Sequence, residues 1–291
     1  MRKAELGTAA KRLIHLSLRE DAVFRDVTTE ALIPKRATGQ AKVFFWEEGI
    51  VCGLPIVRAV YQAVSRQVRV HPFCKDGAFV KRGKVVCLIS GPTHAILRGE
   101  RVALNFLGRL SGVATLTHAF VRKVKPYPVE VLDTRKTMPG WRPLEKYAVR
   151  TGGGKNHRFN LADAVLIKTN HLRAHGGGFE LIQPFIREAQ RKKNCPVYVE
   201  VADEKSFLEA LKVDPDVILL DNWSLPQIRK AVAIREDCFG KDKGPILEAS
   251  GSVTLSNVRR LVQTGIRRIS IGALTHSARS LDVSLRFERN T

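Results

Sequence analysis

Arg135, Lys136, His157 and Arg158 fall within one short stretch of the chain, beside Asp133 and Thr134. Arginine presents a planar fork to a carboxylate or phosphate, and lysine a mobile point charge. Lys168 adds a further cation directly after the apolar run Val165-Leu166-Ile167. Each charge-assisted hydrogen bond contributes about 1.5–3 kcal/mol, so several together hold a doubly anionic small molecule against its loss of hydration. His157, between Asn156 and Arg158, suits a substrate carboxylate or the orienting of a ring. Glu200 and Asp221 have two uses beside such cations. They hold Mg²⁺ together with substrate phosphates, or they bond sugar hydroxyls and stabilise positive charge. A plain ion-pair network is the alternative. Ser250-Gly251-Ser252 and Ile271-Gly272-Ala273 are small-residue loops suited to binding phosphate through backbone N–H groups.

Two signals point elsewhere. Gly152-Gly153-Gly154 is not a Walker A loop, which needs glycine at position 149 and Ser or Thr after the lysine. The chain has Val149 and Asn156 there. Arg101, on spacing alone, is a solvated helical arginine, and Gly176-Gly177-Gly178 a loop into the next helix.

The elements that position these groups alternate. From about residue 117, apolar strands are expected at 129–133, 163–168, 197–201, 216–221, 245–249 and 268–272. Helices are expected at 180–193, 204–211, 225–235 and 256–264. Alternation of this kind implies a parallel sheet, either an open doubly wound one or a barrel. The polar groups stand at the strands' carboxyl ends, where α/β folds build their sites. Six contributing ends favour a barrel. Before it, residues 4–20 read as a helix, and 21–29 as a polar loop. Strands are expected at 39–45, 51–54, 68–72 and 84–90, with a helix at 55–64. A long helix, or two, follows over 93–116, where Gly108 and Gly112 permit close packing. The expected division is an N-terminal α/β domain over 1–116, with 276–291 packing back on it, and a barrel domain over 117–275.

The totals bound the class. A chain of 291 residues with 44% hydrophobic and 26% charged content is an ordinary globular protein. No apolar run approaches a membrane span, and the amphipathic N-terminus lacks the core of a secretion signal. The 5 cysteines are widely spaced, with no Cys-x-x-Cys pair, which fits reduced thiols in a cytoplasm. The net charge of +21 raises a nucleic-acid reading, but the basic residues are scattered and no nucleic-acid motif accompanies them. An anionic small-molecule substrate is the favoured reading. Its site holds a net of about +3 by reference ionisation, so it accounts for a small part of the excess.

Long motifs carry a resemblance as well. DTRKTMPGWRPLEKYAVRTGGGKNHR, LADAVLIKTNH, AILRGERVALNFLGRLSGVATLT, ILEASGSVTLSNV and ISIGALTHS resemble the quinolinate phosphoribosyltransferases. The resemblance implies a type II phosphoribosyltransferase fold, an N-terminal α/β sandwich followed by an incomplete barrel. It implies transfer of phosphoribose from phosphoribosyl pyrophosphate to quinolinate, with decarboxylation and with Mg²⁺. It also implies a homodimer with shared active sites, with a higher oligomer left open; from the charge pattern and the lack of an apolar run, no nucleic-acid or membrane partner is expected. By motif, Arg101 reaches quinolinate in the neighbouring subunit, which reverses the bland reading of that residue. Arg135, His157 and Arg158 bind its carboxylates. Lys136 and Lys168 are catalytic-site lysines. Glu200 and Asp221 are the metal and ribose carboxylates. Ser250, Gly251, Ser252 and Gly272 form the phosphate loop, and Thr134 joins the substrate-binding groups. The chain departs from the family pattern at Arg25, Thr169, Tyr198 and Ser252. A relative with another acceptor, of the molybdenum-transport-associated kind, is the alternative; Lys168, Asn170 and His171 argue against it.

Overall fold

The β-branched and aliphatic runs of the second half pair as one parallel sheet, and they set the frame for everything polar around it. The computed structural model describes residues 3–191 and 195–288. It divides into two compact units, residues 1–118, 137–153 and 274–291 in the first, and 119–136 and 154–273 in the second. The segment 137–153, which the strand–helix alternation placed in the barrel domain, thus clusters with the first unit.

In the second unit the strands are β6 (Glu130–Leu132), β7 (Val165–Ile167), β8 (Val197–Val201), β9 (Val217–Asp221), β10 (Ile246–Ser250) and β11 (Arg268–Ser270). Their order in the sheet is β6-β11-β10-β9-β8-β7, and every neighbouring pair is parallel. That is the order of strands around a ring, with the seam between β6 and β7 left unmade among the described residues. The result is an incomplete barrel. Its crossover helices are α6 (Thr169–His175), α7 (Phe179–Arg191), α8 (Glu204–Lys212), α9 (Leu225–Phe239) and α10 (Val258–Val262). The start of α8 is fixed by Asp203, whose carboxylate accepts the Ser206 N–H at 2.8 Å. At α9 the side chain of Gln227 accepts the Ser224 N–H at 2.9 Å. The helix expected at 180–193 runs to Arg191; positions 192 and 193 lie outside the described residues.

The first unit holds an antiparallel sheet of β1 (Thr38–Phe45), β3 (Arg69–Pro72), β5 (Lys84–Pro92) and β12 (Val283–Phe287), ordered β12-β1-β5-β3. A small ribbon pairs β2 (Gly49–Ile50) with β4 (Phe79–Val80). Its helices are α1 (Lys3–Glu20), α2 (Val27–Leu32), α3 (Leu54–Val64), α5 (Arg142–Thr151) and α11 (Ala273–His276), and the long α4 (Thr93–Val124) begins in it. The strand expected at 51–54 is absent. Gly53 takes φ 117° and α3 starts at once, because Asp76 accepts the N–H groups of Gly53 and Leu54. The expected loop at 21–29 is instead a short turn of helix and then α2, capped by Asp26. The long apolar stretch is one helix, not two. A Cβ at Gly112 would stand 1.8 Å from the Arg279 carbonyl oxygen, so close approach requires glycine there. Among the described residues no helix is long and apolar enough to cross a membrane.

Candidate active site

Strand registers place the polar groups on one face of the parallel sheet. Asp221 lies level with Ser250, Ser250 with Ser270, and Ser270 with Leu132. Two residues lower on each strand, Glu200 lies level with Leu219, Leu219 with Glu248, and Glu248 with Arg268. Side chains two apart on a strand share a face. Glu200, Asp221, Ser250 and Glu248 therefore point to the same side of the sheet, with Asp221 and Ser250 at the carboxyl ends of their strands. Lys168 follows β7 directly, and its ammonium is paired with Glu200.

The cationic side of the site is organised by a buried acid. Asp133, just past β6 and fully buried, accepts the His157 backbone N–H at 2.9 Å and the Asn156 side-chain N–H at 2.6 Å. The Lys155 N–H donates to Val131 O at 2.8 Å, and the Asp133 N–H to Lys155 O at 3.2 Å. Residues 155–158 thus run alongside β6, which joins the Arg135-Lys136 stretch to the His157-Arg158 stretch. Arg158 donates to the Ala164 carbonyl at 3.1 Å. Burial, and then the neighbouring Arg135 guanidinium, push the Arg158 pKa below its ordinary value. An arginine partly removed from water, with a second arginine in its electrostatic surroundings, is suited to an anion. Lys136 is exposed, and its N–H donates to Thr134 Oγ1 at 3.1 Å.

His157 is buried, its ring 4.9 Å from that of Tyr198. Its Nδ1 accepts the Arg158 N–H at 2.8 Å, and Nε2 lies 3.4 Å from Glu248. Glu248 also faces the Arg268 guanidinium at 3.4 Å, and that guanidinium lies over the Tyr198 ring at 5.7 Å. Sequence reasoning passed over Glu248 and Arg268. Glu248 sits inside an apolar run, and only the partner strands reveal that it is a fully buried acid facing two bases.

On the acidic side, Asp221 accepts the Ser250 hydroxyl at 2.9 Å, and the Asn222 N–H donates to Ser250 O at 2.9 Å. Gly251 has φ 86°, which favours glycine, and a Cβ there would stand 2.1 Å from Asn222 Oδ1 and displace that amide. Ser252 has φ 50°, the left-handed region. The residue that departs from the family pattern thus stands where a backbone without a side chain is favoured. Ser252→Gly is expected to raise stability to chemical denaturation by about 1 kcal/mol through relief of this strain. A lowered midpoint would show that the 3.3 Å contact of Ser252 Oγ with Asn222 outweighs the strain. Gly272 follows β11 by two residues. Arg101 belongs to the first unit, exposed on α4.

No group of three or more His, Cys, Asp or Glu side chains placed to hold a metal occurs among the described residues. Glu200 and Asp221 share a face as a pair only, which fits a cation that takes its other ligands from substrate oxygens and water, as Mg²⁺ does. The five cysteines are free thiols. Burial raises Cys52, and raises Cys87 to about 12, so neither is a ready nucleophile.

Fold and strand-end chemistry together define an anion-handling enzyme of the parallel α/β barrel class. The family model described as quinolinate phosphoribosyl transferase, C-terminal domain, matches residues 113–286, and the N-terminal domain model matches residues 26–111. The chain belongs to the quinolinate phosphoribosyltransferase family, and its fold is the type II phosphoribosyltransferase fold. It is 36% identical over 275 residues to a "probable nicotinate-nucleotide pyrophosphorylase (carboxylating)" of Bacillus subtilis, covering 94% of this chain and 92% of that one. It is 38% identical to the chloroplastic nicotinate-nucleotide pyrophosphorylase (carboxylating) of Arabidopsis thaliana, covering 96% and 82%. The solved nicotinate-nucleotide pyrophosphorylase of Francisella tularensis superposes with a TM-score of 0.87 at 33% identity, over 97% of this chain and 96% of that one.

Proposed function

We infer that this chain transfers phosphoribose from phosphoribosyl pyrophosphate to quinolinate with loss of CO₂, giving nicotinate mononucleotide and pyrophosphate. The observation that carries the reading is the buried Asp133 that ties the Arg135-Lys136 stretch to the His157-Arg158 stretch, bringing two arginines, a lysine and an imidazole onto adjoining segments past β6. Quinolinate carries two adjacent carboxylates, and two forks suit them. His157 and Thr134 line the same stretch. Lys136 and Lys168 balance the charge of the diphosphate, with Lys168 exchanging Glu200 for a phosphate oxygen as substrate enters. Backbone N–H groups at Ser250-Gly251-Ser252 and Gly272 serve the 5′-phosphate.

Glu200 and Asp221 would hold Mg²⁺, which when bound neutralises the diphosphate. As the bond from ribose C1 to the diphosphate lengthens, C1 gains positive charge, which nearby carboxylates are suited to stabilise. The Ser250 hydroxyl keeps Asp221 oriented for this. The pyridine nitrogen then attacks C1 and becomes cationic. That charge stabilises the carbanion left on the ring carbon when the adjacent carboxylate departs as CO₂, and the carbanion then takes up a proton from water to give the product. The protein's contribution is to hold both anions in register and to exclude water.

The protein acts as a homodimer in this reading, with Arg101 completing the neighbouring subunit's site; its exposure on α4 supports that role. Free cysteines and the absence of a helix able to cross a membrane, among the described residues, fit a reducing cytoplasm. Purified protein given both substrates and Mg²⁺ is expected to release CO₂ and form nicotinate mononucleotide. Binding of phosphoribosyl pyrophosphate without any binding of quinolinate, read by calorimetry, would overturn the acceptor and point to a different one.

A further inference from the structure

We propose that the Arg109–Glu145 ion pair is a positioning device for two stretches of the catalytic site, one after Lys136 and one after Gly272. The proposal rests on the functional reading of those two loops. Glu145, on α5, is fully buried. Its Oε1 accepts from Arg109 Nη2 at 2.5 Å, and its Oε2 accepts the Met138 backbone N–H at 3.1 Å. Met138 stands two residues beyond Lys136. The same Arg109 guanidinium donates to the carbonyl oxygens of Thr275 and Ala278. Thr275 stands three residues beyond Gly272. One rigid fork on α4 therefore holds the chain downstream of the phosphate loop. The carboxylate that pairs with it holds the chain downstream of the lysine.

Packing enforces this arrangement independently. A Cβ at Gly108 would lie 2.8 Å from Leu281 O, and the Leu281 N–H donates to Gly108 O at 3.0 Å. With Gly112 against Arg279, the segment 279–281 is pressed onto the α4 backbone on either side of Arg109. The Trp141 ring stacks on Phe106 of the same helix at 4.8 Å, fixing the turn that carries Met138. A buried acid with one arm on a backbone N–H and the other on an arginine does more than neutralise charge. It sets two loop ends against one helix. An arginine is required because only a planar guanidinium reaches three acceptors in fixed directions.

The test separates positioning from bulk stability by which substrate suffers. Arg109→Lys keeps a positive charge opposite Glu145 but gives up the fork on the two carbonyls. It is expected to raise KM for phosphoribosyl pyrophosphate about tenfold, the scale of one lost charge-assisted hydrogen bond. KM for quinolinate is expected to stay within about twofold. Glu145→Gln keeps one acceptor but weakens the hold on Met138, and is expected to lower kcat about tenfold through Lys136. An equal rise in both KM values, or folded variants with all constants within about twofold of the parent, overturns the proposal. If Arg109→Lys does not fold, Glu145→Gln alone decides on kcat. If the parent itself forms no product, the functional reading fails rather than this one. Hydrogen exchange then decides: faster exchange at both 137–141 and 273–278 in Glu145→Gln sustains the device, and unchanged exchange at either removes it.

Discussion

Replacing Arg158 by alanine is expected to weaken quinolinate binding by about two orders of magnitude, while binding of phosphoribosyl pyrophosphate changes by about threefold or less. The magnitude follows from losing a bidentate, charge-assisted contact in a partly buried site, about 1.5–3 kcal/mol per hydrogen bond. The asymmetry follows from placement. Arg158 lies on the segment past β6, whereas the groups assigned to the diphosphate in the proposed reaction are Lys168, directly after β7, Glu200 on β8 and Asp221 on β9. Arg158→Lys retains the charge without the fork, so a loss of about tenfold is expected, between parent and alanine. Calorimetry with each substrate separately is the measurement. Equal losses for both substrates would remove Arg158 from the acceptor side.

Asp133→Ala carries the second large effect, and it acts through the backbone. The fully buried carboxylate accepts from the His157 N–H and from the Asn156 side chain. Without it, a buried donor is left unmet, and a cost of about 2–4 kcal/mol is expected for the two bonds. Urea unfolding reads this directly. Activity is expected to fall more than tenfold under conditions where the variant is folded, because His157 and Arg158 lose their register. Asp133→Asn keeps an acceptor for the backbone N–H and is expected to cost about half as much. A cost under about 1 kcal/mol for the alanine variant would mean the loop is held by something other than this acid.

The six strands of the parallel sheet were readable from their apolar runs, and 197–201 agrees to the residue. Their polar ends were readable too, because a cation or carboxylate directly after a β-branched run stands at the rim of a parallel sheet, where such folds bind their ligands. Two kinds of feature escaped. One is the short or distant strand. The pairing of β2 with β4 involves two residues each, so local pattern carries no sign of it; the return of 276–291 to the first domain was expected, but not the strand β12 that pairs there with β1. The other is the buried charge. Asp133 reads in sequence as one more strand-end group, yet its work is to hold a loop. Glu248 and Glu145 read as part of an apolar run and of a helix face. A fully buried acid makes sense only once its partners are known. Those of Glu248 come from the neighbouring strand, at Arg268, and from a distant loop, at His157. The charged partner of Glu145 comes from 36 residues away, at Arg109.

The unmade seam of the barrel has a consequence for solubility. An open ring leaves a strand edge on each side, and a bare edge is a template on which a second chain can add itself. On the β6 side, Lys155 occupies that edge, bridging to Leu132 and donating to Val131. The segment that carries His157 and Arg158 is therefore also the sheath of an otherwise adhesive border. Damage to it should show up first as clumping of the protein in storage, before any change in turnover is looked for.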